Sequence, residues 1–185
     1  NMGEGDEAYL DASKGYSMFA IDAMRLQRLF SKKLSYEDVS YEDACEKVYH
    51  NQDYMMKLYL PGIFVSNFLW IHHYRQLIFY KERFLPLLDN SEENEFYDVG
   101  TGTGFYSVQA LHHKKDLKLT GVDISQHSRQ FTLNNINSWG FGKRFTSLNA
   151  NIIDEELEPK PFVQCIEVLE HLPDPVLFLK NLRLM

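Results

Sequence analysis

An acid followed by a glycine at every second position is the arrangement with the most chemistry in this sequence. It reads Asp98-Val99-Gly100-Thr101-Gly102-Thr103-Gly104 and is entered from the apolar pair Phe96-Tyr97. Glycine carries no Cβ and tolerates positive φ, so such a backbone can pass from strand to helix while lying flat against a ligand. A helix starting near Phe105 would turn its free N–H groups toward that ligand. The next apolar run, Leu119-Thr120-Gly121-Val122, ends in Asp123. An acid about 20 residues beyond a glycine turn is placed to grip the hydroxyls of a ribose. The pattern points to a nucleoside-containing cofactor.

Which cofactor follows from the glycine spacing. A dinucleotide fingerprint, G-x-G-x-x-G, uses its third glycine for close helix–strand packing. Counted from Gly100, that position is Phe105, which disfavours an oxidoreductase. The spacing is instead G-x-G-x-G with Asp98 upstream, and a third segment follows: Glu167-Val168-Leu169-Glu170-His171-Leu172-Pro173-Asp174-Pro175. On these three segments, residues 94–185 resemble the class I S-adenosylmethionine (SAM) dependent methyltransferases.

The resemblance implies an α/β fold, a doubly wound, mainly parallel Rossmann-like sheet of strand order 3-2-1-4. It implies SAM as cofactor and S-adenosylhomocysteine as product. Asp98, Gly100, Thr101, Gly102 and Gly104 would hold the cofactor through the first motif. Asp123 would take the ribose, Ile124 the adenine face, and Asn151 the adenine amine, with Asn149 and Asp154 as rivals for that last role. A buried Asp98 needs hydrogen bonds, expected from the glycine-loop backbone, with the cationic end of methionine nearby. His171 is the candidate general base or orienting group for an acceptor hydroxyl or amine, since histidines titrate near neutrality. Its plain alternative is a bond within its own loop. Glu167 is the second catalytic candidate, contacting either the methionine region or the substrate.

Composition narrows the class. At 185 residues and 44% apolar, the chain suits one domain with a helical appendage. A net charge of −7 argues against a nucleic-acid partner. The two cysteines, Cys45 and Cys165, match no zinc spacing and read as buried thiols of a reducing compartment. The acidic, glycine-rich start does not read as a signal peptide, so a cytoplasmic location is the default. The apolar stretch 63–80 is interrupted by Ser66, Asn67, His72, His73, Arg75 and Gln76, too often for a membrane span.

Two regions are expected. Residues 1–92 read as a helical lid on the substrate side, and residues 93–185 as the cofactor-binding domain. Phe19, Ala23, Leu26 and Phe30 make an apolar stripe on a helix over 16–34. Ser35-Tyr36-Glu37-Asp38 and Ser40-Tyr41-Glu42-Asp43 repeat an approximate capping box. Pro61-Gly62 is expected to break the chain, with Pro61 placed to open one long helix carrying Phe64, Phe68, Ile71, Tyr74 and Ile78, whose end Pro86 disturbs. A polar linker over 89–94 precedes strands at 96–99, 117–122, 145–148 and 162–166, with helices between them.

The family's sheet continues beyond a fourth strand, so the sequence is expected to be a fragment. Strand four would then be covered by further chain or by a homo-oligomeric partner. The favoured function is methyl transfer to a small-molecule or carrier-tethered acceptor, with Phe19, Tyr59, Phe64, Trp70 and Tyr74 as candidate walls. A metal-assisted C-methyltransferase of a polyketide-type assembly line would draw on His72, His73 and His171. No ligand spacing indicates a metal, and adjacent histidines on a helix diverge by ~100°. The non-enzyme alternative is a SAM-binding module.

Overall fold

A computed structural model describes residues 6–34 and 51–185 of the chain. The paired Ser-Tyr-Glu-Asp stretches and Cys45 lie outside the described residues. The chain divides into two compact units between Tyr74 and Arg75.

The first unit is helical. Helix α1 (Asp6–Lys33) packs against α2 (Leu60–Leu69). The helices approach closely because glycines line the contact. A Cβ at Gly62 would sit 2.5 Å from Phe19 Cβ, and one at Gly15 would sit 2.7 Å from the Lys57 carbonyl oxygen. Of the expected α1 stripe, Phe19, Ala23 and Phe30 are half-buried, whereas Leu26 stays exposed.

Two expectations about this region need correction. Pro61-Gly62 does not break the chain, because α2 continues from a π turn at Met55–Tyr59. In that turn the Leu60 N–H reaches back to the Met55 carbonyl, so the wide turn closes just before a residue that has no N–H to give. The same device recurs at Tyr80–Phe84, directly before Leu85-Pro86. The long aromatic helix is interrupted instead at Trp70, whose backbone is extended (φ −94°, ψ 126°). The Trp70 indole donates to the Tyr16 hydroxyl at 3.0 Å and its ring stacks on Phe19 at 5.2 Å. Those contacts set the break, and α3 (Ile71–Phe79) begins after it.

The second unit is a doubly wound sheet. Strands β1 (Glu95–Val99), β2 (Lys118–Val122), β3 (Phe145–Leu148) and β4 (Phe162–Cys165) lie parallel in the order β3-β2-β1-β4. Helices α5 (Phe105–His113) and α6 (Gln126–Ser138) connect the first three strands, and α7 (Pro175–Leu182) follows β4. Alternation along β1 splits the core in two. Phe96 joins Leu111, Leu119 and Ile136 on one face, whereas Tyr97 and Val99 join Val122, Ile152 and Phe178 on the other.

The boundary expected at residues 92/93 falls inside this unit. Tyr80, Leu85 on α4 (Leu85–Asp89) and Leu88 pack into the Phe96 cluster. The polar stretch after Leu88 is a tight connection into β1, and the helical spacing of these apolar residues commits them to the sheet. Phe96 is fully buried, so Phe96→Ala should cost about 3–5 kcal/mol. Urea denaturation should show a lower midpoint at an unchanged slope. An unaltered midpoint would mean that β1 is not the centre of the core.

Candidate functional site

The glycine loop leaves β1 with Gly100, Gly102 and Gly104 all in left-handed backbone, φ 74°, 52° and 71°. The three differ in what surrounds them. A Cβ at Gly100 would lie 2.3 Å from Val168 Cγ2, and one at Gly104 would lie 2.8 Å from Thr132 Cγ2. Those two glycines let the loop pack on protein. At Gly102 the nearest neighbour of an added Cβ among the described residues is the Gly100 carbonyl oxygen at 3.9 Å, so that face of the loop is open with respect to them.

The remaining atoms of the loop are braced. Gly100 N–H donates to the Val122 carbonyl at 2.7 Å, and Gly104 N–H to the Thr101 carbonyl at 2.8 Å. From α6, the Thr132 hydroxyl donates to the Gly102 carbonyl at 3.1 Å and the Asn135 amide to the Thr103 carbonyl at 2.7 Å. With its carbonyls drawn toward α6, the loop leads into the first turn of α5, whose N–H groups have no acceptors within the helix. Thr101 is buried and its methyl packs beside Gly121.

Asp123 closes the ring. One carboxylate oxygen accepts from Gly102 N–H at 3.1 Å, and the other from Ser125 N–H at 2.8 Å. The next turn is fixed by the Ser125 hydroxyl, which accepts from Ser128 N–H and caps α6. Burial raises the Asp123 carboxyl, and the Ser125 and Gly102 N–H groups, Arg129 and the Thr101 hydroxyl oppose that rise. The two N–H groups take one lone pair on each oxygen, and the lone pairs beyond these and the Thr101 hydroxyl are open to a further donor. Ile124 beside it is 48% exposed, an apolar side chain presented at the mouth of the sheet.

Asn151 is engaged locally. Its amide donates to Asp154 at 2.6 Å and its carbonyl accepts from Ile153 N–H at 3.2 Å. The rival Asn149 accepts from Arg129 at 2.7 Å.

Asp98 is buried, but the expected donors prove to be different ones. The glycine-loop N–H groups go elsewhere, and the Ser107 hydroxyl of α5 donates to the Asp98 carboxylate. Gln164 stands beside Asp98 across the β1–β4 ladder, and Tyr80 donates its hydroxyl to the Gln164 carbonyl at 2.6 Å. Burial pushes the Asp98 carboxyl up to about 6, with Ser107 and the Gln164 amide pulling it back. That amide nitrogen completes no well-formed hydrogen bond, so its help to Asp98 is electrostatic. Nothing in the sequence pattern marks Tyr80, Ser107 or Gln164, because each reaches Asp98 only through the fold.

Beyond β4, Glu167 has a left-handed backbone (φ 56°), uncommon for a residue with a side chain. Its carboxylate accepts from the Gln76 amide at 2.9 Å, and the Gln76 carbonyl accepts from the Tyr106 hydroxyl at 3.0 Å. Gln76 and Tyr106 were also not legible as site residues. Burial raises the Tyr106 phenol well above its usual range, and the charge of Glu167 adds to that. His171 is exposed, four residues on in a short turn, with Glu170 at 3.8 Å. Its own N–H donates to the Val168 carbonyl at 3.0 Å.

In the helical unit, His73 Nδ1 lies 2.8 Å from the Ser66 hydroxyl, and the His72 and His73 rings meet edge to face at 4.3 Å. Among the described residues no three His, Cys, Asp or Glu side chains gather as a metal site, and no helix is long and apolar enough to cross a membrane.

Residues 97–185 match the family model described as a methyltransferase domain. A ubiquinone biosynthesis O-methyltransferase of Coxiella burnetii is 29% identical over 84 residues, 45% of this chain and 35% of that protein. The chain thus spans about a third of the length of the curated relatives it matches. The solved structure of PigF with SAH is alike in fold, with a TM-score of 0.57 at 17% identity over 78% of this chain and 40% of that one.

The Asp98 carboxyl at about 6 lies above the ~4 of an unfolded chain. Folding therefore favours its protonated form. The stability this contributes is complete below about pH 4 and is lost as pH rises through about 6. Relative to Asp98→Asn, the wild type should gain up to about 3 kcal/mol between pH ~7 and pH ~4. Paired urea titrations measure the difference, and parallel stability–pH curves would contradict it.

Proposed function

We propose that this chain, whose residues 97–185 match the methyltransferase-domain family, is a class I SAM-dependent methyltransferase and methylates a hydroxyl of a small-molecule or carrier-tethered acceptor. The observation that carries the reading is Gly102, left-handed and, among the described residues, facing open space beside the Asp123 carboxylate. Packing explains the glycines on either side of it, whereas close approach of a ligand explains this one. Oxygen as the methylated atom is supported by the relative named as an O-methyltransferase.

SAM, when bound, supplies a methyl group on a sulfonium, which an acceptor nucleophile displaces in line. The chain's own residues bind and orient. Asp123 accepts from the ribose hydroxyls on the lone pairs left by Gly102 and Ser125. Ile124 packs on the adenine face, with Asn151 at its edge, and Gly100, Thr101, Gly102 and Gly104 give a flat backbone surface. Asp98, buried behind the loop, fixes the start of α5 through Ser107. On the acceptor side, His171 takes the hydroxyl proton onto its ring as the new C–O bond forms.

Isothermal calorimetry with S-adenosylhomocysteine tests the binding half. Asp123→Ala should weaken affinity by about 2–4 kcal/mol, since hydrogen bonds to a charged group are strong and a carboxylate makes two. Unchanged affinity in a folded variant would remove Asp123 from the site. Gly102→Val should abolish binding through a blocked face and a strained backbone. For the chemical half, methyl-labelled SAM and a catechol probe should yield a labelled ether. A label fixed on ring carbon would move the reading to C-methylation.

A further inference from the structure

The Tyr106–Gln76–Glu167 chain does something the nucleoside site does not require. Its three members come from the first turn of α5, from α3, and from the residue just past β4, and they meet at the carboxyl ends of β1 and β4. Val168 packs on Gly100, which docks this corner directly on the glycine loop.

The hydrogen bonds have one consistent direction. Tyr106 donates to the Gln76 carbonyl, which commits the Gln76 amide nitrogen to face Glu167. The orientation of the Gln76 amide is therefore set by the phenol, and that of the carboxylate by the amide. Glu167 is fixed a second time by its left-handed backbone, a strained conformation for a residue with a Cβ.

The brace is neutral. Glu167 forms no ion pair among the described residues, although Lys and Arg supply 19 cations to the chain. A carboxylate held by a neutral amide, itself oriented by a phenol, keeps its full negative charge for a ligand. A lysine or arginine brace would have cancelled it. The placement beside the loop that approaches the cofactor selects a cationic ligand group.

Resting on the proposed SAM site, we propose that Gln76 and Tyr106 are positioning residues that aim Glu167 at the α-ammonium of the cofactor's methionyl end. Glu167 then contributes to recognition of the amino-acid portion of the cofactor, separately from the nucleoside portion held by Asp123. This gives the two parts of the cofactor separate anchors, one on each side of the glycine loop.

Two ligands separate the parts. S-adenosylhomocysteine carries the amino-acid portion, and 5′-methylthioadenosine lacks it. Calorimetry on the chain should show Gln76→Met and Tyr106→Phe weakening S-adenosylhomocysteine about tenfold, and Glu167→Gln more, with methylthioadenosine affinity held within about twofold. Tyr106→Phe removes one hydroxyl and keeps the ring contacts with Tyr80 and Phe105, so it serves if the other variants do not fold. Equal weakening of both ligands would show a merely structural brace and overturn the proposal, as would no weakening of either. A wild type that binds neither ligand would instead sink the cofactor site itself, and this proposal with it.

Discussion

Left-handed backbone at three alternate residues is the constraint on which the rest of this structure depends. Gly100, Gly102 and Gly104 fold the chain back from β1 into α5 within five residues. No single contact secures such a loop. Val168 presses on it at Gly100, Thr132 and Asn135 hold its carbonyls from α6, and Asp123 takes the Gly102 N–H. Loop, β2 turn and α6 are therefore one hydrogen-bonded assembly, in which the carboxylate we propose for the ribose is also a structural pin. On that proposal Asp123 would serve ligand and loop with different lone pairs of the same oxygens.

A second constraint lies beneath the loop. Asp98 is a carboxyl in the core, and its burial is offset by one hydroxyl and by the electrostatic help of one amide, itself bonded to Tyr80. The network runs from the helical segment before β1, through β4, to α5. Arg75–Asp89 therefore belongs with the sheet: Tyr80 contributes both ring surface to the apolar cluster and a hydroxyl to the polar one. Polar groups so placed specify one arrangement of strands and helices, because any shift would leave buried donors and acceptors unmatched.

Features set by local chemistry were legible in the sequence. The glycine loop and the four strands follow from short-range patterns, and their order from the rules of parallel crossovers together with the family resemblance. Features set by long-range contact were not. The Trp70 break depends on Tyr16, 54 residues away, and the Gln76–Glu167 bond spans 91 residues. The π turns before Pro61 and Pro86 were missed because proline reads as a breaker, whereas a widened turn needs no N–H at that point. The expected donors to Asp98 were wrong for a related reason. The glycine N–H nearest in sequence, that of Gly100, donates to the Val122 carbonyl, and that of Gly102 bonds Asp123 instead.

A crystal structure of the chain with S-adenosylhomocysteine tests the central claim most directly. The account places both ribose hydroxyls within ~3.2 Å of the Asp123 carboxylate oxygens, with the ligand lying against the open face of Gly102. A ligand seated elsewhere, or one whose ribose makes no contact with Asp123, would contradict it.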